Sequence, residues 1–542
     1  MRPLLSCAAA AALDALTQAE YGVSAERLME LAAARILDVL IAEGVWPAAA
    51  AGGVAARAGW AGATKVAAIC GSGNNAGDAL ALLRMAAFAG EPGLAAVVPD
   101  RLGEAAAARA REAEAAGVRL IGLGSPEALK AVAEAALVID AVAGTGVRGP
   151  LRGRALEAAE LCGSARGRLV ALDLPSGVGA YGGRAGSLSP SPAAESARPA
   201  PPKAELTVCV APRKLELYFP AYRGAAGRIA AAEGIFPLGR VEAMADARLL
   251  EDADLAELLP PLAPEAHKGS RGAVGVYGGA LGTLGAGLIA ARAASAAGAG
   301  VVSFIVRDES YAQAAGRLQG QIVRPLSLGS GRLLDAALVG PGLGLDEAAE
   351  GALKDLWESS LPLVVDADAL RLVARGAVGG TAGAGAPDKP KRAAPLIMTP
   401  HPGELAALAA AALGRPGDPE AVALAAERWR YDAAALALET ARAYGAALVC
   451  KDATSFIAMP DGRLAVWDGR EPSLGVGGSG DALAGFIAGL LARGAPAWDA
   501  ARAGVIAHGL AGRRLAAQKG FYDAGELPEA LASLAYERTK HG

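Results

Sequence analysis

Along the chain, short runs of consecutive apolar residues alternate with longer stretches whose apolar positions recur at helical spacing. In the first half the runs are Thr64–Cys70, Ala136–Asp140, Arg168–Leu174 and Leu206–Ala211. In the second they are Ala273–Gly278, Val301–Val306, Ala336–Val339, Leu363–Asp366, Leu396–Met398 and Ala447–Lys451. A strand apolar at nearly every position, rather than at every second one, must be covered on both faces, as in parallel sheets between helices. The pattern predicts an α/β chain built as two doubly wound units. An amphipathic helix with Asp14 and Glu20 on its polar side precedes the first strand, and the charged stretch Val241–Leu259 reads as a helix running into Pro260, Pro261 and Pro264. A domain boundary is therefore expected near residue 240, giving domains 1–240 and 241–542. Two segments, Gly179–Lys203 and Arg375–Ala394, hold too few apolar residues to offset the entropy of ordering and read as flexible inserts.

Composition narrows the picture. Of 542 residues 53% are hydrophobic but only 4% aromatic, so the cores must be packed from small aliphatic side chains. Fifty-two basic against 56 acidic residues leave a net charge of −4, which excludes a basic nucleic-acid-binding surface. Five scattered cysteines with no CxxC spacing form neither a disulfide framework nor a zinc site and fit the cytoplasm. Four histidines cannot build a multi-histidine centre, so any metal must rest on oxygen ligands. The start, MRPLLSC, imitates a lipoprotein cleavage box but is too short to contain an apolar signal region. The uncharged run Gly272–Ala291 is long enough to span a bilayer, yet its seven glycines read as strand, turn and helix start. Neither a membrane nor a nucleic acid is expected as partner; a homo-oligomer acting on small molecules is.

In open parallel sheets ligands bind beyond the carboxyl ends of the strands, so the residues after each run carry the chemistry. After the first strand comes GSGNNAGDAL (Gly71–Leu80), a glycine turn opening a helix over Ala81–Ala89. Such a turn offers backbone N–H groups to an anion. Asn74, Asn75 and Asp78 add oxygen-bearing side chains beside it. The next strand ends at Asp140 and leads into a second glycine loop, and a third carries Asp173 into Pro175-Ser176-Gly177. Asn75, Asp140 and Ser176 could together ligate a monovalent or hard cation, and Asp173 could act as an acid or base. The same residue types also close turns and cap helices in any fold; it is the convergence of three strand ends that favours a site.

The second half carries GVGGSGDALAGFIAGLL (Gly475–Leu491), a glycine turn running straight into an apolar helix. Gly477, Gly478, Ser479 and Gly480 would present N–H groups to a phosphate, with Asp481 in the first turn able to take a proton from a substrate hydroxyl. Supporting groups come from other strand ends. They are Thr399-Pro400-His401-Pro402-Gly403-Glu404, whose prolines direct the histidine, and Asp366 and Asp368, candidates for a helix cap or for magnesium's outer sphere. Lys451 is placed as a phosphate-pairing cation, and the backbone turn VGPGLG (Val339–Gly344) suits a flat or anionic ligand. No Walker A loop occurs.

These motifs carry a resemblance in each half. GSGNNAGDAL, DAVAGTG and LDLPSGV, with LMELAAARI (Leu28–Ile36) before them, resemble the NAD(P)H-hydrate epimerase family, a Rossmann-like fold, over roughly residues 10–235. The resemblance implies that Asn74, Asn75, Ala76, Gly77 and Asp78, with Gly144, Thr145, Gly146, Val147, Arg148, Gly149 and Pro150, bind the hydrated cofactor. It further implies that Asp173 is catalytic and that Asn75, Asp140 and Ser176 hold potassium. Leu31, Ala79 and Ala143 depart from the residues usual in that family. In the second half HKGSRGAVGVYGG (His267–Gly279), GAGLIAARAA, VGPGLG, TPHPGE, Lys451 and GSGD resemble the ADP- or ATP-dependent NAD(P)H-hydrate dehydratases of the ribokinase-like superfamily, over roughly 245–540. There the resemblance implies that Ala286, Gly342 and His401 contact the hydrate. Lys451, Asp452, Ala453, Thr454, Ser455 and Gly480 would hold the adenine nucleotide, with magnesium, and Asp481 would be the base. Asp452 and Ser455 stand where glycine and threonine are commoner. The implied activity is repair of hydrated NADH and NADPH (NADHX and NADPHX): epimerisation of the R and S forms, then dehydration of the S form with ADP as donor, ATP being the other candidate. The competing reading is a vitamin-precursor kinase of the same superfamily fused to a non-catalytic Rossmann-like binding domain.

Overall fold

The computed structural model describes residues 1–46, 66–146, 149–179, 200–378, 392 and 394–539. Val147, Arg148 and most of both inserts lie outside the described residues. The chain divides into two compact units, Pro3–Ala247 and Arg248–Gly542, the second including Met1–Arg2.

The first unit contains β1 (Arg2–Leu5), β2 (Val66–Cys70), β3 (Leu94–Val98), β4 (Arg119–Gly122), β5 (Leu137–Ala141), β6 (Arg168–Leu172), β7 (Leu206–Val210), β8 (Arg213–Lys214) and β9 (Arg228–Ala232). Seven of these form one sheet in the order β4-β3-β2-β5-β6-β7-β9, and every pairing in it is parallel. The order steps outward from β2 in both directions, so the crevice between β2 and β5 is the topological switch point where such folds bind ligands. β2 shows why the apolar run is continuous. Val66, Ala68 and Cys70 join the core under one helical layer, while Ala67 and Ile69 join the core under the other. The helix after the glycine turn spans Asn74–Phe88, seven residues longer at its start than the expected one. Gly73, in extended conformation, is its N-cap, so the turn residues themselves form the first helical turn. At the start of the chain, Ser6 caps a helix over Cys7–Tyr21 by accepting from the Ala9 N–H. Cys7 is thus buried within a folded helix.

The second unit contains β10 (Ala247–Leu249), β11 (Ala273–Gly278), β12 (Val301–Val306), β13 (Ile322–Pro325), β14 (Ala336–Val339), β15 (Leu363–Val365), β16 (Leu396–Met398), β17 (Ala447–Cys450), β18 (Ser455–Ala458) and β19 (Leu464–Trp467). They are ordered β13-β12-β11-β14-β15-β16-β17-β18-β19-β10. From β13 to β17 the pairings are parallel, but β17-β18-β19 is an antiparallel meander that the periodicity did not predict. The expected helix over Val241–Leu259 is also corrected. It is broken into a helix Leu238–Ala243, strand β10 and a helix Leu255–Leu258. β10 pairs with β19, Arg248 opposite Ala465, so a sheet edge overrides helical periodicity here.

The aromatic-poor composition has a structural counterpart. The helices Leu284–Ala296 and Ser479–Ala492 pack so closely that a Cβ on Gly485 would stand 2.2 Å from the Ala290 carbonyl oxygen. Small residues permit this backbone approach, and the apolar run Gly272–Ala291 accordingly resolves into β11, a turn and the first of these helices. Among the described residues no helix is long and apolar enough to cross a membrane.

Candidate functional site

In the first unit a cavity of about 570 Å³ opens at the carboxyl ends of β2, β5, β6 and β7. Asn74, Asn75, Asp78, Gly144, Thr145, Gly146 and Asp173 all line it. Ala76 and Gly77 do not: they face the packing beneath, where Gly77 lies against the Met29 side chain. Gly149 and Pro150 are likewise outside the lining.

Asp173 follows β6 with φ of +65°, a left-handed conformation that costs a non-glycine residue energy and recurs where side chains must be aimed. Its carboxylate accepts from the Val210 N–H at 3.2 Å and from the Lys214 ammonium. Lys214 is only 2% exposed and also donates to the Val210 carbonyl at 2.5 Å. This buried ion pair was not anticipated from the sequence. The available signal was a lysine just past the end of β7, with Arg213 before it and Glu216 after it in a run that is otherwise mostly apolar. Asp78, in the helix Asn74–Phe88 that follows β2, is also buried, and burial, then the charge of Asp173, holds its carboxyl well above the ordinary range. Gly144 sits between the groups: a Cβ there would meet Asp173 Oδ2 at 3.2 Å and Asn75 Cβ at 3.5 Å.

Beneath the cavity floor lie the proposed cation ligands. Asp140 is fully buried and, among the described residues, forms no ion pair with a basic side chain. Its Oδ1 accepts from Ser176 Oγ at 2.5 Å and from the Val142 N–H at 3.2 Å, its Oδ2 from the Ser176 N–H at 2.8 Å. Burial raises its pKa. Asn75 donates through Nδ2 to the Leu172 carbonyl at 3.1 Å, while its Oδ1 is buried without any partner. A buried carboxylate beside an orphaned amide oxygen is a donor set short of a positive charge, and a cation fits it.

In the second unit the residues singled out converge on the carboxyl ends of β11, β14, β15, β16 and β17, which are consecutive neighbours in the sheet. Gly342, after β14, packs on the β11 turn: its carbonyl accepts from the Ala280 N–H at 2.6 Å and from Thr283 Oγ1 at 3.1 Å. Thr283 precedes the helix that carries half-buried Ala286. Asp366, after β15, makes no capping bond; it accepts from Thr399 Oγ1 at 2.7 Å and pairs with Lys451 at 2.7 Å. Asp368 accepts from the Gly344 N–H at 3.0 Å. His401 caps the helix Pro402–Ala412. Its Nδ1 accepts from the Gly403 N–H, and Glu404 returns the bond to the His401 N–H. Burial and nearby Lys451 lower the His401 pKa; because Nδ1 accepts, the neutral ring carries its proton on Nε2, which lies 3.5 Å from Glu404 Oε1.

The GSGD turn meets this row. Gly478 is the N-cap of Ser479–Ala492 with φ of +95° and no side-chain cap; the Ser479 N–H turns back to the Val476 carbonyl at 3.3 Å, while those of Gly480 and Asp481 are left unspent among the described residues. A Cβ there would press on Ile289 Cδ1 at 2.9 Å and Ala524 Cβ at 3.2 Å. One built on Gly480 would lie 3.1 Å from Lys451 Nζ, so the lysine stands directly over the turn. Burial, then the charge of Asp366, pushes the Asp481 carboxyl up to about 7, and burial does the same for Glu404. Next to Lys451 a cavity of about 230 Å³ is lined by Asp452, Ala453, Ser455, Trp467 and buried His508. Thr454 is not part of that lining; its hydroxyl donates to Asp468 at 3.0 Å. Among the described residues no group of three His, Cys, Asp or Glu side chains is arranged to hold a metal.

Comparison with known proteins agrees with both halves. The family model described as NAD(P)H-hydrate dehydratase matches residues 274–533, and that described as YjeF-related protein N-terminus matches 25–213. The bifunctional NAD(P)H-hydrate repair enzyme Nnr of Moorella thermoacetica is 31% identical over 541 residues, covering 95% of this chain and 93% of that protein. Its counterpart from Coxiella burnetii is 31% identical over 476 residues, covering 85% and 88%. The solved ADP/ATP-dependent NAD(P)H-hydrate dehydratase of Bacillus subtilis, co-crystallised with ATP/Mg2+, is 24% identical with a TM-score of 0.45, covering 54% of this chain and 99% of that one. With relatives more than 30% identical along nearly their whole length, the chain belongs to the family of bifunctional NAD(P)H-hydrate repair enzymes.

Proposed function

We propose that the second unit dehydrates S-NADHX and S-NADPHX with ADP as phosphate donor, and that the first unit interconverts the R and S forms so that both are repaired. The observation that carries the dehydratase reading is the pairing of Asp481, poised near neutrality, with the unspent N–H groups of the Gly478 turn under Lys451. A carboxylate whose pKa lies near 7 is basic enough to take the proton of the ring hydroxyl while about half of it is ionised at neutral pH. The hydroxyl oxygen attacks the terminal phosphorus of ADP and AMP leaves. Phosphate then departs with the C–O electron pair, a ring proton is lost, and the carbon–carbon double bond of the dihydronicotinamide is restored. The turn amides and Lys451 stabilise charge on the transferring group, because both are fixed in place before it develops. Lys451, Asp452, Ala453 and Ser455 would hold the nucleotide, and Gly342, Ala286 and His401 the hydrate. Magnesium, when bound, would neutralise phosphate charge. With no cluster of three His, Cys, Asp or Glu side chains among the described residues, it would be held by the nucleotide's phosphates and water.

In the first unit Asp173, aimed into the cavity by its backbone and anchored by Lys214, would act on the hydrated ring carbon. Asn74, Asn75, Asp78 and the Gly144–Gly146 loop would hold the cofactor. Potassium would be held by Asn75, Asp140 and Ser176, supplying the positive charge their donor set lacks. The five cysteines are all free and buried, which supports action in the cytoplasm.

The deciding assay incubates the full chain with S-hydrate, magnesium and ADP or ATP, and follows the absorbance of regenerated dihydronicotinamide. Recovery with ADP supports the reading; no recovery with either donor overturns it. For the first unit, R-hydrate is followed by chiral chromatography, and conversion to S no faster than the uncatalysed rate overturns the epimerase assignment.

A further inference from the structure

The HKGSRG motif that precedes β11 takes no part in the site just described. It lies at the opposite, amino-terminal end of the strands, where Pro261, Leu262, Ala263, Glu265, His267, Ser270, Arg271 and Arg493 enclose a cavity of about 300 Å³. Two guanidinium groups meet at this cavity. A single point over Gly298, the position of a Cβ on that residue, lies 3.3 Å from an Nη of Arg493 and 3.4 Å from an Nη of Arg271. Among the described residues neither arginine forms an ion pair, and Glu265, which shares the cavity wall, is not within ion-pair distance of either. Burial, then the charge of the facing Arg271, lowers the Arg493 pKa.

Backbone carbonyls hold the pair in place. Arg493 donates to the carbonyls of Ala297 at 2.8 Å and Pro260 at 2.8 Å, and Arg271 donates through Nε to Gly298 at 2.9 Å. Arg493 is the C-cap of the Ser479–Ala492 helix, and a cation there is accounted for by the helix's negative end. Arg271 has no such explanation: among the described residues neither of its terminal nitrogens has a hydrogen-bond partner, leaving a fork of the shape that grips an oxyanion in two places. His267 supplies a further donor, because its Nδ1 accepts from the Gly269 N–H at 3.1 Å and the Ser270 N–H at 3.3 Å. That acceptance fixes the proton on Nε2.

We propose that Arg271, Arg493 and His267 form a second anion site, for a phosphate-sized oxyanion carried free or as a phosphate ester. It is separated from the nucleotide site by the length of the Ser479–Ala492 helix, roughly 21 Å at 1.5 Å per residue over 14 residues. The site does not depend on the assigned reaction, and its test reads binding rather than turnover. Equilibrium dialysis of the full chain with labelled inorganic phosphate, with a non-hydrolysable ATP analogue saturating the other pocket, is expected to leave one phosphate bound per chain. Arg271→Gln is expected to weaken that binding about tenfold or more, the loss of charge-assisted bonds to a dianion. Arg271→Lys should retain part of the affinity, and circular dichroism checks that both variants are folded. Displacement by AMP at lower concentrations than by phosphate, lost in Arg271→Gln, makes the occupant a phosphate ester; equal or weaker displacement makes it free phosphate. The proposal is overturned if wild type retains no phosphate, or if folded Arg271→Gln binds it as wild type does.

Discussion

Replacing Lys214 with methionine keeps the length of the side chain and removes its charge, leaving Asp173 buried beside buried Asp78 with no cation. Lys214 is 2% exposed, so solvent does little to compensate. Removing one partner of a buried pair costs about 3–5 kcal/mol, because the remaining charge loses its counter-ion without regaining water. At about 2–4 °C per kcal/mol for a unit of this size, the thermal transition of the first unit should fall by about 6–20 °C. Adding Asp173→Asn removes the stranded charge. The double variant should therefore be more stable than the sum of the single effects, with a coupling energy of at least about 1 kcal/mol. Thermal and urea melts of the full chain, followed by circular dichroism, measure all three variants. Strict additivity, or a Lys214→Met loss below about 1 kcal/mol, would refute the claim that this pair is a coupled buried unit.

Four further outcomes are expected. Asp481→Asn should lower dehydratase kcat about 10²–10⁴-fold, and in wild type kcat/KM should rise with pH through an apparent pKa near the value of about 7 set by burial and Asp366; a flat profile would remove Asp481 as the base. Asp481 and Glu404 keep their protons up to about 7 when folded, but lose them near pH 4 when unfolded. The folded state binds more protons between those limits, so stability of the second unit should fall as pH rises from about 4 to 7, and the double variant Asp481→Asn, Glu404→Gln should flatten that slope in urea melts. Gly478→Ala forces a Cβ to 2.9 Å from Ile289 at a φ of +95°. Displacing the turn should cost about 10²-fold in dehydration, with epimerisation unchanged. Potassium, compared with choline at equal ionic strength, should raise the melting temperature of the first unit by selective binding to the folded state, and Asp140→Asn should abolish the rise; an equal rise in the variant would exclude Asp140 as a ligand.

The α/β architecture and the two glycine turns were legible because both are local. An apolar run such as Val66–Cys70 can be satisfied only between two helical layers, and a turn like Gly475–Gly480 followed by an apolar helix has few backbone solutions. Within each unit the convergence of strand ends, at 140 and 173 in the first and at 366, 399 and 451 in the second, follows from parallel pairing, which puts the carboxyl ends of one sheet on one side. What stayed hidden depends on partners distant in sequence. The pairing of β10 with β19 joins residues more than 200 apart and turns a helical pattern into a strand, and the antiparallel β17-β18-β19 meander depends on a sheet edge that local periodicity does not encode. Lys214 reads as an ordinary surface lysine until the fold buries it against Asp173, 41 residues away. His401 looked directed by its prolines, but reciprocal capping bonds with Glu404 hold it. The acidity of Asp481 likewise belongs to no motif. It is set by desolvation and by Asp366, brought in from another strand, because electrostatic environment is a property of the assembled site and not of the segment that carries the group.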